Sequence, residues 1–182
     1  MKAFTASLAI ALSMACQGAW ASSTDKSALT SLTMEDAYEV YKARDYGMAA
    51  ELFALLAEQG NASAQSMLGF IHEAGQGVDQ DPKVALQWYL LAAKGGSVTA
   101  LDRIGWIYQE GLGVEQSYKT AALWFESAAD KGSAVSMRHL AHLYEHGFGV
   151  EKNAVKALGY YLSAADKDDV PSIYAVAMMY MS

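Results

Sequence analysis

The chain has 182 residues, with 13 Lys and Arg against 20 Asp and Glu and a formal net charge of −7. It carries no run of Lys or Arg that could neutralise a row of phosphates, which excludes nucleic acid as a partner class. Its one cysteine, Cys16, provides neither a disulfide framework nor a thiolate metal site, so packing has to supply the stability.

Met1-Lys2 is a minimal basic start, Ala3 to Ala15 is apolar and uncharged, and Ala19-Trp20-Ala21 is a small-x-small cleavage pattern. Together they predict an export signal over residues 1–21, cleaved after Ala21 and too short to span a bilayer. Ser13 stands where a lipidation signal ahead of Cys16 would have Leu, which argues against a lipoprotein. The expected location is therefore periplasmic or secreted. Residues 22–33 are small and polar and read as a flexible leader. Thr33, with Asp36 three residues on, predicts a helix start, and Ala37, Tyr38 and Tyr41 continue at helical spacing. Asp45 opens a second helix carrying Ala49, Leu52, Phe53, Leu56 and Ala57, which Gly60 ends. Residues 34–60 thus form an N-terminal helix pair.

From Asn61 a unit of 36 residues recurs without gaps, as residues 61–96, 97–132 and 133–168, and a capping half-unit follows over 169–182. Leu68, Ile104 and Leu140 head three copies of one stretch, and Val176 falls in the same register. Asn61, Ser97, Ser133 and Asp169 share one column, and Asp81, Ser117 and Asn153 share another. All can accept from the free N–H groups of a starting helix, so each unit holds two helices. Gly75, Gly111 and Gly147 end the first helices; Gly60, Gly96 and Gly132 end the second ones. The Gly-x-Gly pairs follow helices rather than strands, which removes a dinucleotide loop. The second helices carry Ala85-Leu86-x-Trp88-Tyr89-x-x-Ala92-Ala93 and its counterparts around Trp124-Phe125 and Tyr160-Tyr161, one apolar face of alanines and aromatics. Trp88→Ala or Trp124→Ala should cost about 3–5 kcal/mol.

Ala100 to Gly132 is the best-formed copy of a pattern that also runs through the flanking units: Ala-x-x-x-Leu-Gly-x-x-Tyr-x-x-Gly-x-Gly-Val, then Lys-x-Ala-x-x-Trp-Tyr-x-x-Ala-Ala-x-x-Gly. It resembles the Sel-one-like repeat (SLR), a relative of the tetratricopeptide repeat. The resemblance covers residues from about 34 onward and implies an all-α fold, a right-handed α/α solenoid of antiparallel helix pairs. It also implies an adaptor or scaffold for protein complexes, of the exported bacterial kind found in the envelope, and no enzyme and no cofactor. His72 replaces the family tyrosine, Ala141 and Ala177 replace the helix glycine, and Asp168 replaces the final glycine. A cysteine-rich secreted branch of the family staples its repeats with disulfides; this chain does not follow it.

Three columns of the first helices vary between copies while the core columns do not. The first is Ser66, Asp102, Arg138 and Tyr174. The second is Phe70, Trp106, His142 and Met178, and the third is Glu73, Gln109, Glu145 and Met181. Varied polar groups around aromatic anchors suit peptide or helix recognition in a concave groove, where Trp, Tyr and Arg are frequent hot spots. Trp106→Ala with Arg138→Ala is expected to weaken that binding and leave the melting curve nearly intact. His139, His142 and His146, at offsets of 3 and 7, form the candidate metal set, set against a polar face near a helix end where histidine is favourable. The apolar helix from Ile173 to Met181 invites burial by a partner or by a second copy, a homodimer. The reading is an exported protein–protein adaptor binding a partner peptide or domain. The alternative is a periplasmic immunity or inhibitor protein against an envelope-active toxin, and further off stands a hydrolase or metal-dependent envelope enzyme.

Overall fold

The structure, a computed structural model, describes residues 32–181. The export signal, its cleavage point after Ala21, Cys16 and most of the leader lie outside the described residues. Within them are nine α-helices and no strand: α1 Met34–Lys42, α2 Tyr46–Glu58, α3 Ala62–Ala74, α4 Pro82–Lys94, α5 Val98–Glu110, α6 Tyr118–Asp130, α7 Ala134–His146, α8 Ala154–Ala165 and α9 Val170–Met181. Each helix packs chiefly on its neighbours in the chain, the arrangement of a helical solenoid.

Side-chain oxygens set where the helices begin. Thr33 and Asp36 close a capping box on α1. Asp45 caps α2, and Asn61, Ser97 and Ser133 cap α3, α5 and α7. Asp81, Ser117 and Asn153 cap α4, α6 and α8. Asp169 Oδ2 accepts from the Ser172 N–H at 3.1 Å and from its hydroxyl at 2.6 Å, holding the start of α9. Each cap satisfies a donor that the helix leaves free and contributes roughly 0.5–2 kcal/mol. Gly75, Gly111 and Gly147 end the first helices in the left-handed conformation. After α8 that conformation falls on a non-glycine, Asp168, at φ 62°.

The connecting loops sit against the preceding repeat. A Cβ on Gly77 would lie 2.4 Å from the backbone of Tyr46 and Gly47 at the start of α2, and one on Gly149 the same distance from Tyr118 and Lys119 at the start of α6. Backbone meets backbone there, so only glycine fits.

The core is three apolar clusters in series. One joins α1, α2 and α3 around Phe53; the next joins α4 and α5 around Tyr89; the last joins α6, α7 and α8 around Phe125. The aromatic pairs of the second helices divide their work. Tyr89, Phe125 and Tyr161 are the buried members, at 1%, 0% and 5% exposure. Trp88 and Trp124 are only half-buried, and each reaches to another repeat: Trp88 packs on the cluster of the N-terminal pair and Trp124 on that of α4 and α5. The expectation of a full core cost at Trp88 and Trp124 is corrected accordingly. They seal joints, and the fully buried ring is the next residue along.

Candidate binding face

The first helices α3, α5, α7 and α9 carry all three variable columns, and the structure gives each column a different occupation. In the first column Ser66, Asp102 and Arg138 each reach the capping residue of the next repeat, while Tyr174 is exposed. The hydroxyls of Ser66 and Ser97 lie 2.8 Å apart. Asp102 accepts from the Ser133 hydroxyl at 2.7 Å and from that of Ser136. Arg138 Nε lies 3.2 Å from Asp169 Oδ2, an ion pair whose N–H is not aligned as a hydrogen bond. These are joints between repeats.

The third column props the buried aromatic of the second helix. Tyr89 donates to Glu73 at 2.8 Å and Tyr161 donates to Glu145 at 2.9 Å. Glu73 also pairs with Arg103, whose guanidinium lies 4.6 Å from the centre of the Trp106 ring. Burial first, then the neighbouring carboxylate, pushes both phenols well above their usual range. In the middle repeat the phenol is absent, because Phe125 replaces tyrosine, and there Gln109 replaces glutamate. The Gln109 amide nitrogen donates to Glu110 at 2.9 Å, and its carbonyl oxygen is buried with no donor.

The second column is the open one. Phe70 is 37% exposed and His142 is exposed, while Trp106 is half-buried against two core clusters and Met178 is 49% exposed. Around Phe70 lies a cleft of about 480 Å³, walled by Tyr38 and Tyr41 of α1, Ser63, Ser66 and Met67 of α3, and Thr99 and Arg103 of α5, with Tyr89 behind. Around His142 lies a smaller cleft of about 300 Å³, lined among others by Gln109, Arg138, His139 and Tyr161. The two are one position of the repeat seen twice: Ser66 corresponds to Arg138, Phe70 to His142 and Tyr89 to Tyr161. Tyr38, Tyr41, Met67 and Arg103 are not among the residues that the sequence marks for the binding face. The N-terminal pair stands outside the 36-residue register, so its tyrosines had no column to be compared with.

The three histidines do not converge. His139 is stacked flat on Phe125, with ring centres 4.7 Å apart, and burial holds its imidazole down at about 4. His142 and His146 face each other at 4.3 Å, and the Nδ1–H of His146 donates to the His142 carbonyl at 3.0 Å. Burial also lowers His142, with His146 adding to the effect. Among the described residues no three His, Cys, Asp or Glu side chains are placed to hold a metal ion, and no helix is long and apolar enough to cross a membrane.

No curated protein matches the chain. Solved structures do. A Sel1 repeat protein from Oxalobacter formigenes is 30% identical with a TM-score of 0.76, the match covering 81% of this chain and 61% of that one. The protective antigen c5321 of uropathogenic Escherichia coli, which displays an SLR fold, is 24% identical with a TM-score of 0.76 over 95% of this chain and 40% of its own. Cysteine rich protein B of Helicobacter pylori is 18% identical with a TM-score of 0.54, over 79% of this chain and 97% of its own. The chain thus spans about 61% and 40% of the length of the first two, and the second and third bear on the fold alone. The Sel1 repeat model matches residues 40–61, 62–97, 98–133 and 134–169, in the period that the caps and glycines mark out. With four repeats matched and the same fold in a relative of that name, the chain belongs to the Sel1 repeat family.

Proposed function

We propose that the chain is an exported scaffold that does no chemistry of its own and seats a segment of a partner protein along its first-helix face. Sel1 repeats are in general protein-interaction scaffolds. The observation that carries the finer reading is the cleft of about 480 Å³ around Phe70, in which three successive first helices place aromatic walls, small hydroxyls and one guanidinium together. Such a cleft suits an apolar or aromatic anchor side chain, with the hydroxyls of Ser63 and Thr99 available to the partner's backbone. Glu73, Gln109 and Glu145 support the face from behind, and Ser66, Asp102 and Arg138 hold its repeats in line. Phe70, Trp106 and His142 make the surface that a partner would touch.

A photo-crosslinking amino acid at Phe70, with the same group at Leu123 on the exposed side of α6 as the control, tests the face in living cells. Adducts concentrated at Phe70 support it; equal labelling at both sites ends it. Mass spectrometry of the fractionated protein tests export, since a periplasmic species must lack residues 1–21. Arg138→Ala is a poor groove probe, because it also breaks the joint to Asp169. Phe70→Ala leaves every joint in place.

A further inference from the structure

We infer that the cleft around Phe70 seats a proline-rich segment of a partner protein, held in the extended left-handed form that such segments prefer. The inference rests on the groove reading above and names the chemistry of the segment. Tyr38 and Tyr41 of α1 and Phe70 of α3 wall the cleft with rings. The two tyrosines are set in place from behind. Phe53, fully buried, meets Tyr38 edge-on with ring centres 5.3 Å apart, and Tyr41 at 6.5 Å. Tyr41 is also fixed at its tip, where its hydroxyl donates to Gln76 Oε1 at 2.7 Å. Rings that are held before a ligand arrives need little further ordering, and a groove of aromatic faces suits pyrrolidine rings. The equivalent cleft around His142 has no tyrosine from a preceding helix, and Ala175 stands there in the place of Arg103.

The polar groups narrow the choice of occupant. The hydroxyls of Tyr38, Ser63 and Thr99 have no partner among the described residues. Arg103 directs Nε and Nη2 at Glu73, which leaves its Nη1 free to donate. The acceptors behind these groups are taken: Glu73 holds Arg103 and the Tyr89 hydroxyl, and Gln76 Oε1 holds Tyr41. Among the described residues no Asp or Glu lines the cleft. A hydroxyl can accept as well as donate, but the guanidinium only donates, so the balance lies on the side of donors. An ordinary extended chain brings an N–H with every C=O. Proline brings the C=O alone, and a run of prolines is already extended with its carbonyls free. An anion would also accept, but Glu73 cancels the charge of Arg103 and the chain carries a net charge of −7. Residues 1–182 hold two prolines, Pro82 and Pro171, each in the first turn of a helix. No stretch of them is proline-rich, so neither the residues ahead of α1 nor a second copy supplies this segment.

The probe is decaproline, labelled for fluorescence anisotropy and titrated with the full chain. It should bind saturably, one to one. A matched peptide with alternate prolines replaced by alanine regains N–H groups and loses half the rings; it should bind at least about tenfold more weakly. Phe70→Ala should weaken decaproline binding about tenfold or more. Tyr38→Phe combined with Thr99→Val removes two hydroxyls and no ring, and should weaken it about fivefold or more. His142→Ala should leave it unchanged. Phe70 and Thr99 are exposed, so the melting curves, recorded alongside, should stay in place. Four results overturn the inference: decaproline that does not bind, decaproline that binds the Phe70→Ala chain equally well, an alanine-containing peptide that binds as tightly, or a dimer in sedimentation that Phe70→Ala abolishes. The third would give the cleft to any extended segment and the fourth to a second copy. Crosslinked adducts concentrated at Phe70 together with a failure of decaproline would remove the proline reading and leave the groove reading standing.

Discussion

Lowering the pH from 7 to 5 should cost this fold about 2 kcal/mol through one side chain, His139. Its ring lies flat on Phe125 at 4.7 Å, inside the joint between the second and third repeats. Burial is the main cause that pulls its imidazole from 6.5 down to about 4; the charges of Arg138 and His142 add to this, and those of Glu110 and Asp169 oppose it. Between those two values the unfolded chain holds a proton that the folded chain refuses, so stability falls as the pH falls. The loss begins near the unfolded value of 6.5 and levels off near 4, at about 3 kcal/mol in all. Urea unfolding of the wild type and of His139→Gln at pH 7, 6 and 5 isolates the effect, because every other titrating group is common to both. The variant should lose about 2 kcal/mol less than the wild type over that range. Identical pH dependence in the two proteins would refute the reasoning and place the imidazole in water.

Phe125→Tyr should raise stability by about 0.5–1.5 kcal/mol, because its hydroxyl would reach the buried, donor-less carbonyl oxygen of Gln109 as Tyr89 and Tyr161 reach their carboxylates; a lowered melting temperature would show that the middle repeat is built differently. Asp168→Gly should stabilise by about 1 kcal/mol by removing a Cβ from a left-handed position at φ 62°, and thermal melting without an upward shift would count against this. Gly77→Ala should cost clearly more than Gly60→Ala. Both have positive φ, but Gly60 faces open space and Gly77 faces backbone at 2.4 Å. The Gly60 change should cost about 1–2 kcal/mol, and equal losses at the two sites would remove the close approach from the account.

Much of the architecture was legible because the same physical problem is solved at equivalent positions. A column holding Asn61, Ser97, Ser133 and Asp169 has no chemistry in common except the ability to accept from a free N–H, and all four do so. Which member of each aromatic pair is buried was harder to read. Trp88 and Tyr89 are adjacent, so both fall on the broad apolar side of one helix, and it is Tyr89 whose ring lies against the close-packed backbone at Gly69. The variable columns were read as recognition surface because they differ between repeats. In two of the three, the difference is compensation: Glu73 goes with Tyr89, Gln109 with Phe125 and Glu145 with Tyr161. Likewise Ser66, Asp102 and Arg138 match Ser97, Ser133 and Asp169. The pairing was present in the sequence as joint substitution, but its two halves lie 16 or 31 residues apart on different helices, and nothing local connects them. Tyr38 and Tyr41 join the cleft only through the way the N-terminal pair stacks on α3, which no periodicity announces.

The joints also run in one direction. Ser97 and Ser133 each begin a hairpin and Asp169 begins α9, and each is gripped by a side chain from the hairpin before it. A segment leaving a ribosome or a translocation pore amino end first would therefore meet a finished template at every step, with the hydrogen-bonding partner for its opening turn already in position. Assembly would advance like a zip with a fixed starting end. The last tooth, Arg138 to Asp169, is ionic where the first is a pair of hydroxyls, so ionic strength should loosen α9 while the amino-terminal hairpins hold.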